Sequence, residues 1–421
     1  MKSIMDKNLT KDELIELAAK HVCPGRVETF KQLGTVPVMA RREGNYFWDM
    51  DGSKLFDVHI NGGTFNLGHR NPELIATLKE ALDHYDMGNH HFVSSARTHL
   101  AKELVNSVPG DMKYCVFTTS GSEAVEVTLR TARKATGRRR IVSFKGSYHG
   151  HGGLSLMAGD ADQAAYFLSE QPQDEFTQVP FDDPGAMEEI LKADDTAAVL
   201  CEMIPATIGF PMPSPGFYPQ LKKLCEKYGA LFIADEVQTG LGRTGKMWAC
   251  ETFGIEPDML ISGKGLTGGI YPIGAAVISE KTAGWLSEDG WGYSSTAGGS
   301  ELGCVVALKV LEIINRPGIL ENVREMSAFL AEGLEGIKDR HPFLVEIRQK
   351  GLVHGLRFDN PYGGALVTAC GFESGLWAFP AGFDRSVLQF KPNLLVNRED
   401  CSEALQLLEK AISLCEERFK V

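Results

Sequence analysis

The chain has no run of about 18 uninterrupted apolar residues, the length an α-helix needs to cross a bilayer, although 43% of its 421 residues are hydrophobic. Its first stretch, MKSIMDKNLTKDELIELAAK, alternates charged and apolar positions as an amphipathic helix does, so neither secretion nor membrane insertion is expected. Positive charge is scarce as well: 43 Lys and Arg against 55 Asp and Glu leave a formal net charge of −12. The one basic cluster, Arg138 to Arg140, reads as a solvated helix end and falls short of the basic face that nucleic-acid phosphates require. Nine cysteines are scattered, with Cys401 and Cys415 the nearest pair, so no CxxC or similar metal pair occurs. No metal is expected, and reduced thiols in a cytoplasmic protein are the simplest reading. Internal repeats and low-complexity linkers are also missing, which implies an intimately packed C-terminal part.

What is present points to a layered α/β protein. The length exceeds the size at which one core keeps growing, so a large domain with smaller attachments is expected. Residues 10–34 read as a helix followed by a loop, and GNYFWDMDGSKLFDV (44–58) as a β-hairpin turning at Asp51-Gly52. From about residue 72, helical stretches alternate with the apolar runs YCVFTTS, RIVSFKG, AAVLCEMI, ALFIADEV, DMLISG and IGAAVIS. Apolar runs between helices predict a largely parallel sheet covered on both faces, with ligands at the carboxyl ends of its strands. Helical patterns resume in CVVALKVLEIINR and close the chain in CSEALQLLEKAISLCEERF.

GLGRTGKM (240–247) satisfies both the dinucleotide pattern GxGxxG and the phosphate-loop pattern GxxxxGK, and both matches fail on context. Met247 stands where a phosphate loop needs Ser or Thr to hold magnesium, and a dinucleotide fingerprint belongs to the first βα unit, not deep in the chain.

A different set of residues sits where strands end. In TTSGSEAVEVTLRTAR (118–133) a strand runs into a small polar turn and a helix beginning near Ser122. Free amides there, with the hydroxyls of Ser120 and Ser122, make a seat for an anion such as phosphate; the same serines equally serve as N-caps. FKGSYHGHGG (144–153) places Tyr148, an aromatic able to lie on a planar ring, among glycines; packed loop residues are the plainer reading of Tyr148 and His149. LFIADEVQTG ends a strand on Asp235, a carboxylate needing a buried partner such as a protonated ring nitrogen, with Gln238 in reach of a phenolic oxygen. LISGKGLTGG puts Lys264 among glycines after another strand, where burial lowers an amine pKa and makes it nucleophilic toward aldehydes. An anion seat, a stacking ring, a carboxylate and an imine-forming lysine are together what pyridoxal 5'-phosphate requires.

The run LFIADEVQTGLGRTGKMWACETFGIEPDMLISGKGLTGGIYPIGA (231–275) resembles the signature segment of class III pyridoxal-phosphate aminotransferases, which have the type I fold. The likeness extends to GNYFWDMDGSKLFDV, NLGHRNPEL, TTSGSEAVE, SYHG and STAGGSELG, and so covers most of the chain. It implies a large cofactor domain at 72–315 with a mostly parallel seven-stranded sheet, plus a smaller α+β domain formed by residues 316–421 and the N-terminal segment 1–71. A homodimer sharing its active sites is implied too. By position, Lys264 resembles the Schiff-base lysine, Asp235 the partner of the pyridine nitrogen and Tyr148 the stacking aromatic. Ser120, Gly121 and Ser122 resemble the phosphate turn, Gln238 the residue near the cofactor hydroxyl, and Thr296 the threonine sent by the partner subunit to the phosphate. Glu202 falls where the family has Glu-Pro, with Met203 a departure.

The larger departure is QFKPNL (389–394), where amino-acid-directed members read like RFAPPL. Gln389 replaces an arginine whose fork would bind a substrate carboxylate, leaving Arg385 and Lys391 as the cations nearby. The resemblance implies amino transfer from a small amine or amino acid to a keto acid. The same residues serve aminomutases, racemases and lyases that release ammonia from phosphorylated or phosphonate amines. A non-catalytic descendant of the fold predicts loss of Lys264 or Asp235, and both are present.

Overall fold

Seven strands form the central sheet, in the order Met112–Thr118, Gly274–Ser279, Met259–Ser262, Leu231–Asp235, Thr196–Glu202, Arg140–Phe144 and Phe176–Val179. The computed structural model describes residues 9–159, 161–169 and 174–421; the first eight residues of the expected N-terminal helix lie outside them. The strands alternate between two apolar layers, as a period of two dictates. Val199, Cys201, Phe232, Ala234 and Leu260 face one side, while Ala198, Leu200, Ile233 and Ile261 face the other. On that second side lies helix Gly121–Thr136, which buries Ala124, Val125, Leu129 and Ala132 against the sheet and ends on Gly137 in the left-handed conformation.

The sheet is mostly parallel, as expected, with details that the sequence does not mark. Gly274–Ser279 runs antiparallel to both of its neighbours, because a strand buried on both faces carries no mark of its direction. Phe176–Val179, a short edge strand parallel to Arg140–Phe144, falls outside the apolar runs picked from sequence because three of its four residues are only half-buried. Arg138, Arg139 and Arg140 are not merely solvated: they pair with Asp194, Glu175 and Asp195 at 2.6, 2.7 and 2.8 Å.

The hairpin forms as read, with Tyr46–Asp49 antiparallel to Lys54–Asp57 and Gly52 at φ +91° in the turn. Met39–Glu43 adds a strand on one side and Leu376–Trp377 adds one on the other, so the N- and C-terminal parts of the chain share one sheet. The loop expected after the first helix, Lys11–His21, is instead a second helix, Pro24–Gln32, opened by proline in its first turn. A second antiparallel sheet orders Leu344–Lys350, Val353–Phe358, Val387–Phe390 and Phe379–Pro380 beneath helices Ile319–Arg340, Gly363–Ser374 and Arg398–Phe419. Among the described residues no helix is long and apolar enough to cross a membrane.

Candidate active site

The carboxyl ends of the central strands open into a cavity of about 500 Å³, within the usual range for small-molecule sites. Ser120, Gly121, Ser122, Tyr148, Glu202, Asp235, Gln238 and Lys264 all line it. Residues more than 140 positions apart meet because each follows a strand of the same sheet.

One wall is the start of helix Gly121–Thr136. Ser120 caps it, its Oγ accepting from the Glu123 amide at 3.2 Å, while the amides of Gly121 and Ser122 have no carbonyl within the helix to bond. Capping and an anion seat are therefore compatible uses of this turn. Ser122 Oγ lies 3.0 Å from Ser155 Oγ and accepts from the Gly152 amide at 3.0 Å. Space here is kept by missing side chains: a Cβ on Gly121 would lie 2.8 Å from Val237 Cγ2, and one on Gly263 would lie 3.3 Å from the Gly121 nitrogen.

Asp235 closes strand Leu231–Asp235 and is 5% exposed. Its Oδ1 accepts from the Val237 amide at 3.1 Å, and its Oδ2 lies 2.7 Å from His149 Nδ1. His149, read from sequence as a packed loop residue, is thus part of the carboxylate's setting, and its Nε2 has no protein partner. Its signal was its place directly after Tyr148 at a strand end. Tyr148 is 39% exposed and its amide donates to Glu202 Oε1 at 2.8 Å. Burial, with Glu202 and Asp235 nearby, raises its phenol pKa and keeps the hydroxyl protonated. Glu202 also accepts from the Ala206 amide at 3.3 Å, so it braces the loop that carries Tyr148; burial raises its pKa.

Lys264 opens a short 3-10 turn after Gly263 with φ +43°, a left-handed conformation costly for a side-chain-bearing residue. The residue is half-buried and lines the cavity. Burial lowers its amine's pKa, with Asp235 and Glu202 pulling the other way. Such an amine is available as a nucleophile. A bare wall lies beside it: a Cβ on Gly62 would come within 3.6 Å of Lys264 Nζ and 3.8 Å of Gln238 Oε1.

Of the other sequence candidates, Gln389 and Lys391 lie buried behind Gln238, with Lys391 Nζ 2.9 Å from both Gln238 Oε1 and Gln389 Oε1. Arg385 is exposed in the loop before strand Val387–Phe390, its carbonyl accepting from the Ala365 amide at 3.3 Å. Thr296 is exposed in a loop before helix Glu301–Ile314.

A bound pyridoxal phosphate fits this donor set. The unbonded first-turn amides suit its phosphate, the paired buried carboxylate of Asp235 suits its ring nitrogen, and the low-pKa amine of Lys264 suits its aldehyde.

The family model described as aminotransferase class-III matches residues 31–412. An uncharacterized aminotransferase of Archaeoglobus fulgidus is 46% identical over 408 residues, covering 97% of this chain and 96% of that protein. Putrescine aminotransferase of Pectobacterium atrosepticum is 33% identical over 411 residues, covering 94% and 87%. Taurine:2-oxoglutarate aminotransferase of Bifidobacterium kashiwanohense, solved in complex with PLP and glutamate, superposes with a TM-score of 0.87 at 27% identity, covering 97% and 99% of the two chains. The chain belongs to the class-III aminotransferases, enzymes of the type I fold that depend on pyridoxal phosphate.

Proposed function

We propose that this protein transfers the amino group of a small primary amine or amino acid to a keto acid, using Lys264 as the residue that carries the cofactor and moves the proton. When bound, pyridoxal phosphate supplies an aldehyde that condenses with amines and a ring that accepts electrons from the bond being broken. With the cofactor bound, Lys264 would take a proton from the substrate carbon as base and return one as acid, which its lowered pKa favours. Asp235, held by His149 and the Val237 amide, keeps the ring nitrogen protonated. Gly121 and Ser122 would hold the phosphate by their amides, and Tyr148 would lie against the ring. Thr296 of a second copy completes the phosphate seat in a homodimer, and exposed Arg385 is free to meet an anionic substrate group. The observation that carries this reading is that Lys264 and Asp235 line one cavity of cofactor size.

Borohydride treatment of the loaded protein should fix the cofactor's mass on Lys264. Amines with a keto acid should then give multiple turnovers, and amines alone a single half-turnover. One feature favours a second reading, ammonia release from a phosphorylated or phosphonate amine: Gln389 stands where a carboxylate-binding arginine is expected, and its amide is engaged by Lys391. Multiple-turnover ammonia release without any keto acid would establish that reading and sink the first.

A further inference from the structure

Lys391 directly follows the strand Val387–Phe390 and is 1% exposed. Its Nζ lies 2.9 Å from Gln238 Oε1, 2.9 Å from Gln389 Oε1 and 5.0 Å from the centre of the Phe210 ring. Gln389 is fixed in turn, its Nε2 donating to the Pro380 carbonyl at 3.3 Å. A line of contacts therefore runs from the C-terminal sheet through two polar side chains to Gln238 in the cavity wall.

The chemistry of these groups removes the usual ambiguity of an amide's orientation. A lysine ammonium only donates and has no lone pair to receive an amide NH2, so Gln238 turns its carbonyl to Lys391. Its NH2 is then the end left to donate into the cavity. The Gly62 main chain lies beside the same carbonyl oxygen, a Cβ there coming 3.8 Å from Gln238 Oε1 and 3.6 Å from Lys264 Nζ. We propose that Lys391 is a positioning residue that locks the Gln238 amide so that its NH2, never its oxygen, is presented to the phenolic oxygen of bound pyridoxal phosphate.

Two amide oxygens and the face of the Phe210 ring surround the Lys391 ammonium and offset the cost of burying it. Burial pushes its pKa well down, Lys264 and Arg243 act in the same direction, and Asp57 and Glu202 oppose them. His59 faces the same cluster and is itself held neutral by burial, Lys391 and Lys264. This role replaces substrate binding for Lys391, and it rests on the reading that the cavity holds pyridoxal phosphate.

The test follows the absorbance of protein-bound pyridoxal phosphate as pH is varied, in Lys391→Met, Gln238→Leu, the double variant and Lys391→Arg. One hydrogen bond to a charged oxygen corresponds to about one pH unit. Lys391→Met and Gln238→Leu should each move the titration midpoint by about that much in the same direction, and the double variant should move it no further. Lys391→Arg, which still donates, should stay near the parent midpoint. A Lys391→Met midpoint equal to the parent, or additive shifts in the double variant, would overturn the proposal. Should Lys391→Met fail to fold, a Lys391→Arg midpoint displaced as far as that of Gln238→Leu would overturn it equally. A parent protein that takes up no pyridoxal phosphate, with no borohydride adduct on Lys264, defeats the cofactor reading itself and this inference with it; normal uptake with an unmoved Lys391→Met midpoint defeats this inference alone.

Discussion

His149 Nδ1 lies 2.7 Å from Asp235 Oδ2, a buried contact between the loop after strand Arg140–Phe144 and the end of a strand two places away in the sheet. The pair fixes the orientation of the carboxylate that faces the cavity. Replacing His149 by Phe leaves Asp235 with the Val237 amide as its remaining partner, and a buried acceptor deprived of a donor costs about 1–3 kcal/mol. Thermal unfolding of the apoprotein should show that loss, and cofactor titration should show weaker binding. Equal midpoints for variant and parent would mean the contact contributes nothing. Asp235→Asn keeps the shape and removes the charge; its expected effect is a fall in turnover of about 10²–10³-fold with the fold intact.

On the proposed reading, Lys264→Ala removes both the point of covalent attachment and the proton carrier. Turnover is expected to fall by about 10²–10⁴-fold, the range for loss of a positioned acid-base group. Mass spectrometry after borohydride treatment should find no cofactor adduct. An adduct that persists on another lysine would show that the attachment site has been misplaced.

Glu236 makes stability depend on pH. It is buried and accepts from Thr239 Oγ1 at 2.7 Å and the Ala249 and Cys250 amides at 3.0 and 2.7 Å, yet burial is the larger influence and pushes its pKa up from 4.5 to about 7. Between those values the folded protein holds more proton than the unfolded chain, so stability falls as pH rises. The contribution is fully present below 4.5 and lost as pH climbs through about 7. Glu236→Gln should flatten that slope, by a few kcal/mol at most. Urea midpoints at the two ends of the window, compared between parent and variant, decide the matter; parallel slopes would reject it.

Gly150 and Gly153 form a matched pair. Gly150 has φ +118° and a Cβ there would sit 2.3 Å from Ser122 Oγ, whereas a Cβ on Gly153 meets nothing within 4 Å. Gly150→Ala should cost about 1–3 kcal/mol and weaken cofactor binding through the displaced Ser122, while Gly153→Ala should behave as the parent does. Similar affinities for both variants, measured by cofactor titration, would show that this loop does not shape the phosphate seat.

Much of the site was legible from single segments. Ser120, Tyr148, Asp235 and Lys264 could be picked out because each follows an apolar run that had to be a buried strand, and each carries a side chain that a bland loop does not need. The turn at Asp51-Gly52 was legible for a similar reason, since the backbone there takes a positive φ that glycine tolerates. The helix Pro24–Gln32 was not, because its mixed composition carries no strong periodicity of its own.

The chain by itself determined which chemical groups stand at strand ends and what local backbone presents them, because turn chemistry and apolar periodicity depend only on near neighbours in sequence. Tertiary structure alone decided which of them meet. Strand order brought His149 to Asp235, and the docking of the C-terminal sheet brought Lys391 to Gln238. Burial then lowered the pKa of Lys264 and raised that of Glu236, since desolvation depends on what the rest of the chain packs around a group and not on the residues beside it.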